Sequence, residues 1–197
     1  MSRRTVGRPR QTSHASIRDA ARALFAAEGY DAVPLTRIAA AAGISRTALF
    51  SYYPAKADLM TEELEAHVDS VRAFLAEHPS GDALDIVVAA MLVAASYSVD
   101  EHADFAQRRA ICRASDELTA RVARSAAQLT GLIADHAVAL VPPAKQTLMR
   151  DLTHALAAVA SKAIEDWSQH PPEQDLDVYL AARLRPLRDA AVGLLRD

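Results

Sequence analysis

The residues best suited to chemistry lie in the segment 30–59, and the chemistry that they suit is the recognition of nucleic acid. Gly43 has no Cβ and can therefore adopt the left-handed conformation that ends a helix. Ser45 carries a side-chain oxygen that can cap the helix that follows. Two short helices joined by such a turn form a helix-turn-helix, whose second helix enters the major groove of DNA.

Residues suited to catalysis are harder to find. Asp151 and His154 stand three positions apart on one predicted helix, but no third ligand lies nearby in sequence. The chain contains no glycine-rich phosphate loop and no H-E-x-x-H, C-x-x-C or G-x-S-x-G sequence. Cys112 is the single cysteine, so an internal disulfide is excluded and a reducing compartment is expected. We predict that the protein is not an enzyme and holds no cofactor or metal.

Hydrophobic spacing places the helix-turn-helix within a group of three short helices. These helices are predicted over residues 12–28, 35–42 and 46–52. The apolar face of the first consists of Ile17, Ala21, Leu24 and Phe25. In the third, Leu49 is expected in the core together with Phe50 or Tyr53, and Ile44, Leu49 and Phe50 are assigned to it. Pro54 ends the helix because the residue before a proline is pushed out of the helical region.

The rest of the chain shows helical periodicity and no alternating strand pattern of useful length. A long amphipathic helix is expected from about residue 57 to residue 77. Further helices are expected over 82–98, 102–114, 116–140, 144–169 and 175–195. We therefore predict an all-α protein of about nine helices, with a helix-turn-helix domain of residues 12–56 and a second helical domain of residues 57–197.

The last two predicted helices are both amphipathic, and the first of them is rich in small residues. Such a pair could close the core of its own chain or pair with a second copy in a four-helix bundle, and the pattern alone leaves both open. The longest apolar run, 86–95, has ten residues and is too short to span a bilayer. No membrane segment is expected, and the predicted location is the cytoplasm.

The charge of the chain is distributed unevenly. Residues 1–56 contain nine Lys and Arg against three Asp and Glu, a net charge of +6, whereas residues 57–197 contain thirteen against twenty-two, a net charge of −9. A basic end suits a polyanion. Residues 1–11 are predicted to form a disordered basic arm, in which Arg8 and Arg10 flank a proline and could reach phosphates or a minor groove.

Three stretches near the N-terminus have distinctive sequences. They are ALFAAEGY at 23–30, IAAAAGIS at 38–45 and LFSYYPAK at 49–56, followed by Leu59. Together, residues 12–59 resemble the DNA-binding domain of the TetR family of bacterial one-component repressors. The N-terminal sequence is also similar to that of actinobacterial members of this family, some of which sense acyl-CoA thioesters.

The resemblance implies a set of DNA contacts. Contacts to the DNA backbone or to bases are implied for Thr36 and Arg37 at the start of the second helix, and for Ser45, Arg46, Thr47, Ala48, Ser51, Tyr52 and Lys56 on and around the third. Arg46 is the best candidate for reading a base, since guanidinium can pair with O6 and N7 of guanine. Tyr52 and Lys56 match family residues that bind phosphate, which carries little sequence information.

Two positions depart from the family pattern. Pro34 stands where many members have a capping threonine, so a phosphate contact from a threonine there is in doubt. Ser51 is small where a larger polar or basic residue is common, so its contact with DNA could be indirect.

The resemblance further implies that the second domain binds a small effector. Ligand sites are mostly apolar with a few polar groups. The candidate lining residues are Phe74, Met91, Tyr97, Phe105, Cys112, Met149, His154 and Trp167, although taken singly each is more typical of ordinary core. Their mainly apolar character favours an apolar or amphipathic effector.

The predicted function is that of a sequence-specific regulator. We expect a homodimer, joined through the last two helices, that binds a palindromic double-stranded DNA operator as a repressor and leaves it when the effector binds. The alternatives are a helical protein-interaction module without DNA binding and, far behind, an enzyme. Sequence-selective binding to DNA distinguishes the first prediction from the alternatives.

Overall fold

The computed structural model describes residues 13–196, so the arm predicted for residues 1–11 lies outside it. The described residues form nine α-helices and two short 3-10 helices, Val99–Glu101 and Pro143–Lys145. The α-helices α1 to α9 are, in order, His14–Glu28, Leu35–Ala41, Arg46–Tyr52, Asp58–Glu77, Ala83–Ala94, His102–Arg113, Asp116–Ala139, Gln146–Gln169 and Leu176–Arg196. Over this range there is no strand, and the all-α prediction is confirmed.

The chain divides into two compact units, Met1–Met60 and Thr61–Asp197. The boundary lies inside α4, whose first turn belongs to the N-terminal unit and whose remainder belongs to the C-terminal unit.

In the N-terminal unit, α2 packs against both α1 and α3. Helix α1 begins with a capping box, in which the hydroxyl of Ser13 accepts from the Ser16 N–H and the Ser16 hydroxyl accepts from the Ser13 N–H. Its apolar face is buried through Ile17, Ala21 and Phe25. Three short helices become stable in this way because each buries one face against the next.

The turn between α2 and α3 has the geometry predicted for Gly43. Gly43 adopts φ +71°. Its N–H donates to the carbonyl of Ala40 at 3.1 Å, and the N–H of Ile44 donates to the carbonyl of Ala39 at 2.9 Å. These two bonds form a Schellman motif, which satisfies carbonyls at the end of α2 that would otherwise lack partners.

The N-termini of α2 and α3 differ in how they are capped. The hydroxyl of Ser45 accepts from the N–H of Ala48 at 3.0 Å, which confirms the predicted cap of α3. Pro34 occupies the corresponding position before α2 and makes no side-chain cap. The entry to α2 is therefore set by the backbone of Pro34 alone.

The prediction that Phe50 belongs to the core is wrong. Leu49 is fully buried and Tyr53 is only 2% exposed, whereas Phe50 is 38% exposed. Leu49 and Tyr53 are four positions apart and share one side of α3, and Phe50 is rotated away from that side. The core of this unit therefore takes Tyr53, and Phe50 faces outward.

In the C-terminal unit, α5 lies in the middle of a helical layer. It packs against α7, α8 and α9, while α8 also packs against α7 and α9. The completely buried side chains of this core are Val71, Val87, Ala90, Ala137, Met149, Leu156, Ala163, Leu180 and Leu184. Helix α5 packs against three other helices, so its apolar run forms a core helix, as the sequence predicts.

Helix α5 ends at Ala94, four residues before the predicted end at 98. The chain leaves the helix because Ser98 and Glu101 form a new capping box that starts the next turn. The carbonyl of Tyr97 then accepts from the N–H of Leu176 at 2.9 Å and so caps the start of α9. The early end of α5 thus has a local cause in the Ser98–Glu101 capping box, and the tertiary bond from Leu176 holds the segment that follows the helix.

Within residues 13–196, no single helix is long and apolar enough to cross a membrane. Taken together, α5 and the segment Val99–Arg113 have sufficient length and apolar composition, but the two are bent by 48°.

Candidate functional site

Helix α3 exposes one side of its surface. Arg46, Thr47 and Ser51, three of the residues expected to contact DNA, are exposed, while Ala48 and Tyr52 are half-buried. Positions four apart on a helix lie on the same side, so these side chains form a single face. Arg46 stands at the N-terminal end of this face, which is the end that contacts base edges in helix-turn-helix proteins.

Arg46 lies against an aromatic ring that sequence reasoning assigned to the core. Its guanidinium carbon is 5.4 Å from the centroid of the Phe50 ring. A cation–π contact of this kind restricts the guanidinium to part of its rotamer range. The spacing of four residues between Arg46 and Phe50 was the available signal for this contact.

Two serines of the predicted interface make bonds within α3 itself. The hydroxyl of Ser51 donates to the carbonyl of Ala48 at 2.7 Å. The hydroxyl of Ser45 accepts from the N–H of Ala48. Ser51 keeps acceptor capacity toward a ligand but its proton is in use, so it suits an indirect contact better than donation to a phosphate.

The two candidates on α2 are both exposed. Thr36 and Arg37 lie in the first turn of that helix, and Arg37 forms an ion pair with Glu28 at the end of α1. An exposed ion pair contributes little to stability and exchanges readily. A phosphate could therefore replace Glu28 as the partner of Arg37.

Lys56 is bound inside the N-terminal unit. Its Nζ donates to the carbonyl of Tyr30 at 2.5 Å and approaches the carbonyl of Asp31 at 3.5 Å. It also lies 4.3 Å from the centroid of the Tyr30 ring and 5.6 Å from that of Phe25. The sequence predicted a phosphate contact here and missed this structural role, in which Lys56 joins the segment before α4 to the loop after α1.

Tyr52 and Tyr53 share one neighbour, His14 of α1. The His14 ring is 5.1 Å from each tyrosine ring in an edge-on arrangement, and the Tyr53 hydroxyl donates to the His14 carbonyl at 3.2 Å. Tyr52 is half-buried, so its ring is supported by α1 while part of it stays accessible. Arg8 and Arg10 lie outside the described residues.

Three of the predicted effector residues in the C-terminal unit form one aromatic cluster, Tyr97, Phe105 and Trp167. The ring centroids of Tyr97 and Phe105 are 4.5 Å apart, and those of Phe105 and Trp167 are 5.4 Å apart. The indole N–H of Trp167 donates to the carbonyl of Gln174 at 3.0 Å, so its polar tip is satisfied.

The other apolar candidates are packed. Met91, Cys112 and Met149 are buried, and Phe74 is half-buried and stacks on His78 with ring centroids 4.1 Å apart. Burial raises the pKa of the Cys112 thiol, with nearby arginines opposing the shift. A raised pKa leaves the thiol protonated and supports a packing role.

His154 does not belong with the interior residues. It is exposed on α8, and its Nδ1 is 2.8 Å from the carbonyl of Arg150 one turn earlier. The apolar side of α8 runs through Leu152 and Leu156, and His154 is on the opposite side. The prediction that His154 lines an internal effector site is therefore wrong.

A polar centre adjoins the aromatic cluster and consists of Glu63, His67, Tyr97 and Arg108. The Tyr97 hydroxyl accepts from Arg108 Nη2 at 3.1 Å, lies 3.3 Å from His67 Nε2 and donates to Glu63 at 3.5 Å. Arg108 also forms an ion pair with Glu63. The centre thus links α4 to α6 and to the segment after α5, and sequence reasoning missed it because its members are distant in the chain.

Burial changes the proton affinities in this polar centre. Burial lowers the pKa of His67, the charge of Glu63 opposes this shift and that of Arg108 adds to it. Burial also raises the pKa of Tyr97 to about 12, against the effect of Arg108 and with a contribution from Glu63. At neutral pH the centre therefore holds a neutral imidazole and a protonated phenol beside one ion pair.

A second charged contact joins α6 to α8. Glu165 accepts from Arg109 at 2.9 Å and from Arg113 at 2.7 Å. Burial raises the pKa of Glu165, but the hydrogen bond from Arg109 and the charge of Arg113 outweigh this effect and leave it below its ordinary value. Its arginines lie on α6, as does Arg108 of the polar centre, so a substitution in this contact can serve as a control for one in the polar centre.

A cavity of about 550 Å³ lies between α4 and α7. Its lining residues are Thr61, Leu64, Glu65, Val68, Asp69, Arg72, Arg121, Arg124, Ser125 and Gln128. None of the predicted effector residues is among them. The lining is predominantly charged and polar, which suits an apolar effector poorly.

A capped helix-turn-helix with an exposed second helix, followed by a helical unit with an aromatic interior, defines a helix-turn-helix transcriptional regulator. Residues 17–62 match the family described as bacterial regulatory proteins, tetR family, and residues 81–191 match the MftR C-terminal domain. The chain belongs to the TetR family of bacterial regulatory proteins and carries an MftR-type C-terminal domain. It is a regulator and not an enzyme, as the sequence predicts.

The chain is similar to a curated protein of Mycobacterium tuberculosis described as a candidate mycofactocin biosynthesis transcriptional regulator, MftR. The two are 34% identical over 116 residues, which is 58% of this chain and 59% of that protein. The match therefore spans about three fifths of that relative's length.

Two solved structures share the fold. Thermus thermophilus FadR, a transcriptional repressor in complex with lauroyl-CoA, is 24% identical, with a TM-score of 0.52 over 89% of this chain and 93% of its own. SmeT, the repressor of the Stenotrophomonas maltophilia multidrug efflux pump SmeDEF, is 19% identical, with a TM-score of 0.61 over 91% and 90%. Because both sequence identities are below 25%, the similarity to these two structures shows a shared fold.

Proposed function

We propose that the protein binds a palindromic DNA operator and represses transcription from it until a small effector releases it. The observation that carries the proposal is the exposed face of α3, on which Arg46, Thr47 and Ser51 follow a correctly capped turn. Membership of a regulatory family supports the same function. Arg46 is proposed to read a base, and Thr36, Arg37, Tyr52 and Lys56 are proposed to hold the backbone.

Selection of genomic fragments tests the DNA-binding part. The full chain is incubated with sheared genomic DNA, and the retained fragments are sequenced at two salt concentrations. We expect enrichment of fragments that share a palindrome, with retention falling as salt rises because phosphate contacts release counterions. Retention without sequence preference, or none, would favour a protein-interaction module.

The effector is proposed to be apolar or amphipathic and to bind within the C-terminal unit around the aromatic cluster. The support is the group of half-buried and buried rings at Tyr97, Phe105 and Trp167 beside a polar centre. The lauroyl-CoA in Thermus FadR makes acyl-CoA thioesters and fatty acids the first compounds to try. A melting temperature that stays constant with acyl-CoAs, fatty acids and aromatic compounds would contradict this part.

A homodimer through α8 and α9 is also part of the proposal. Ala155 and Ala158 of α8 are exposed, and so are Ala182 and Gly193 of α9. Small side chains allow helix axes to approach closely. Val178 and Leu194, exposed to 52% and 54% in the single chain, would also be covered in a four-helix bundle.

We assign DNA binding to one predicted domain and effector binding with dimerisation to the other. Residues 12–56 are proposed to bind DNA and residues 57–197 to bind the effector and dimerise, while Arg8 and Arg10 of the arm 1–11 add contacts to DNA. The protein is proposed to act in the cytoplasm, where its operator would lie.

A further inference from the structure

Arg108 and Glu63 form an ion pair whose two members differ in their access to water. The Arg108 side chain is 14% exposed, whereas the Glu63 side chain is 36% exposed. A carboxylate at that exposure can turn into solvent and recover its hydration at small cost. The guanidinium of Arg108 cannot turn into solvent in the same way, because most of its surface is covered.

Arg108 is also held in place by groups other than Glu63. Its Nη2 donates to the Tyr97 hydroxyl at 3.1 Å. Its guanidinium carbon is 5.4 Å from the Tyr97 ring centroid and 5.5 Å from that of Phe105. A guanidinium fixed by a hydrogen bond and two aromatic rings keeps its position when one partner leaves, and is preorganised for a carboxylate or phosphate.

The surroundings of Arg108 combine charge with apolar surface. Phe105 and Trp167 continue the aromatic cluster away from the guanidinium, and both are buried. The raised pKa of Tyr97 keeps its phenol protonated and able to donate a hydrogen bond. A ligand that places an oxyanion at Arg108 and parts these buried rings to admit an apolar chain would match both features.

We propose that Arg108 is the receptor for an oxyanion at the end of an apolar effector, and that Glu63 is an internal ligand which the effector displaces. This inference rests on the proposed function as an effector-responsive regulator. Carboxylate and phosphate share the chemistry that Arg108 recognises, so a fatty acid and a phosphorylated amphiphile are both candidates. Displacement frees Glu63 and so removes an attachment of α4 to α6.

The test measures binding of three probes of equal chain length, dodecanoate, dodecyl phosphate and dodecanol. Trp167 is the single tryptophan and is 5.4 Å from Phe105, so its fluorescence reports on the site. For Arg108→Gln we expect the affinity of whichever anionic probe binds to fall by about tenfold or more, because a charge-assisted bond is lost. The affinity for dodecanol should change by less than about threefold, since only the apolar contacts bind it.

Glu63→Gln is the second variant and gives the opposite expectation. Removing the competing charge should strengthen binding of the anionic probe about threefold or more, with dodecanol unaffected. Arg113→Gln is the matched control on the same helix, since Arg113 pairs with Glu165 and its side chain is 42% exposed. It should bind all probes as the original chain does.

The binding results test separately the role of Arg108, the need for an oxyanion and the apolar class of the effector. Equal binding of the anionic probes to the original chain and to Arg108→Gln, or weaker binding to Glu63→Gln, would overturn the role of Arg108. If Arg108→Gln does not fold, Glu63→Gln alone decides by the same criterion. Binding of dodecanol with no binding of either anion would overturn the oxyanion and leave an apolar effector. Failure of all three probes would contradict the proposed effector class as well.

Discussion

At the scale of single residues, Arg46 and Phe50 combine two kinds of contact in one helical turn. The guanidinium can donate two hydrogen bonds to guanine, and the exposed ring beside it offers apolar surface of the kind that contacts a thymine methyl group. The ring also restricts the guanidinium, so less freedom is lost on binding.

Replacing Arg46 with alanine should reduce discrimination at one base position by ~1–3 kcal/mol, because the proposed bidentate contact to guanine would be lost. The measurement compares the affinity for the operator with the affinity for operators altered at each position. Arg37→Ala serves as comparison, since a phosphate contact should weaken all sequences alike. An equal loss on operator and random DNA for Arg46→Ala would contradict its role as base reader.

Lys56→Met should have two effects, because Lys56 binds the carbonyl of Tyr30 and is also proposed to contact a DNA phosphate. The bond from Lys56 to the carbonyl of Tyr30 is lost, so the free energy of unfolding of the N-terminal unit should fall by about 1 kcal/mol. Affinity for operator and random DNA should fall by the same factor. Lys145→Met, in the 3-10 helix before α8, is the control and should change neither quantity. Unchanged stability of Lys56→Met would contradict the structural role.

The lowered pKa of His67 makes stability depend on pH in a defined direction. An unfolded histidine takes up a proton at about pH 6.5, while buried His67 stays neutral to lower pH. The folded state therefore binds fewer protons in that window, so stability is complete above about pH 6.5 and falls as the pH drops toward the pKa of His67. Thermal melts at several pH values should show a shallower dependence for His67→Gln.

His170→Gln is the matched control for this pH series, since His170 is exposed at the end of α8. Its melts should follow those of the original chain. If both variants gave the same pH dependence, His67 would not be the group responsible.

At the scale of elements, the turn between α2 and α3 shows how backbone conformation constrains sequence. Gly43 adopts φ +71°, and a Cβ built there meets no atom within 4 Å. The requirement for glycine is therefore conformational and not steric, because residues with a Cβ rarely adopt this region. The Schellman bonds at Ala40 and Ala39 depend on that conformation.

Gly43→Ala should destabilise the N-terminal unit by ~1–2 kcal/mol and should lower operator affinity if the turn is distorted. Gly131 provides the matched control, since it lies inside α7 and also has open space around a built Cβ. Gly131→Ala should stabilise the C-terminal unit by ~0.5–1 kcal/mol. Denaturant unfolding measures both, and a neutral Gly43→Ala would refute the conformational argument.

At the scale of the whole molecule, the proposed dimer would use the exposed sides of α8 and α9. Small residues such as Ala158 and Gly193 lie there beside the exposed Leu194. A twofold axis would bring the same surface of two chains together, so the spacing of two recognition helices, ~34 Å on DNA, would depend on it.

Ala158→Arg should convert the proposed dimer to a monomer, because the twofold axis would bring two new charges into a close-packed interface. Sedimentation at micromolar concentration measures the mass, and operator affinity should fall together with it. Ala127→Arg, on an exposed side of α7, is the control and should remain dimeric. A dimer that persists in Ala158→Arg would place the interface elsewhere.

Most of the helices could be predicted because their apolar positions recur at helical intervals and because proline, glycine and capping residues mark their ends. The turn at Gly43 and Ser45 was predictable for the same reason, since its geometry depends on local stereochemistry. Phe50 was assigned wrongly because periodicity alone cannot choose between adjacent apolar residues on a seven-residue helix. His154 was assigned wrongly because the orientation of α8 depends on its neighbours.

The sequence by itself determined the class of protein, since a glycine turn, a capping serine and helical periodicity are local properties that neighbouring residues encode together. Only the tertiary structure decided how distant side chains meet. It brought Glu63 to Arg108 and Tyr97, and it bound Lys56 to Tyr30. Contacts between residues far apart in the chain depend on how the helices pack, and helix packing leaves no signature in local spacing.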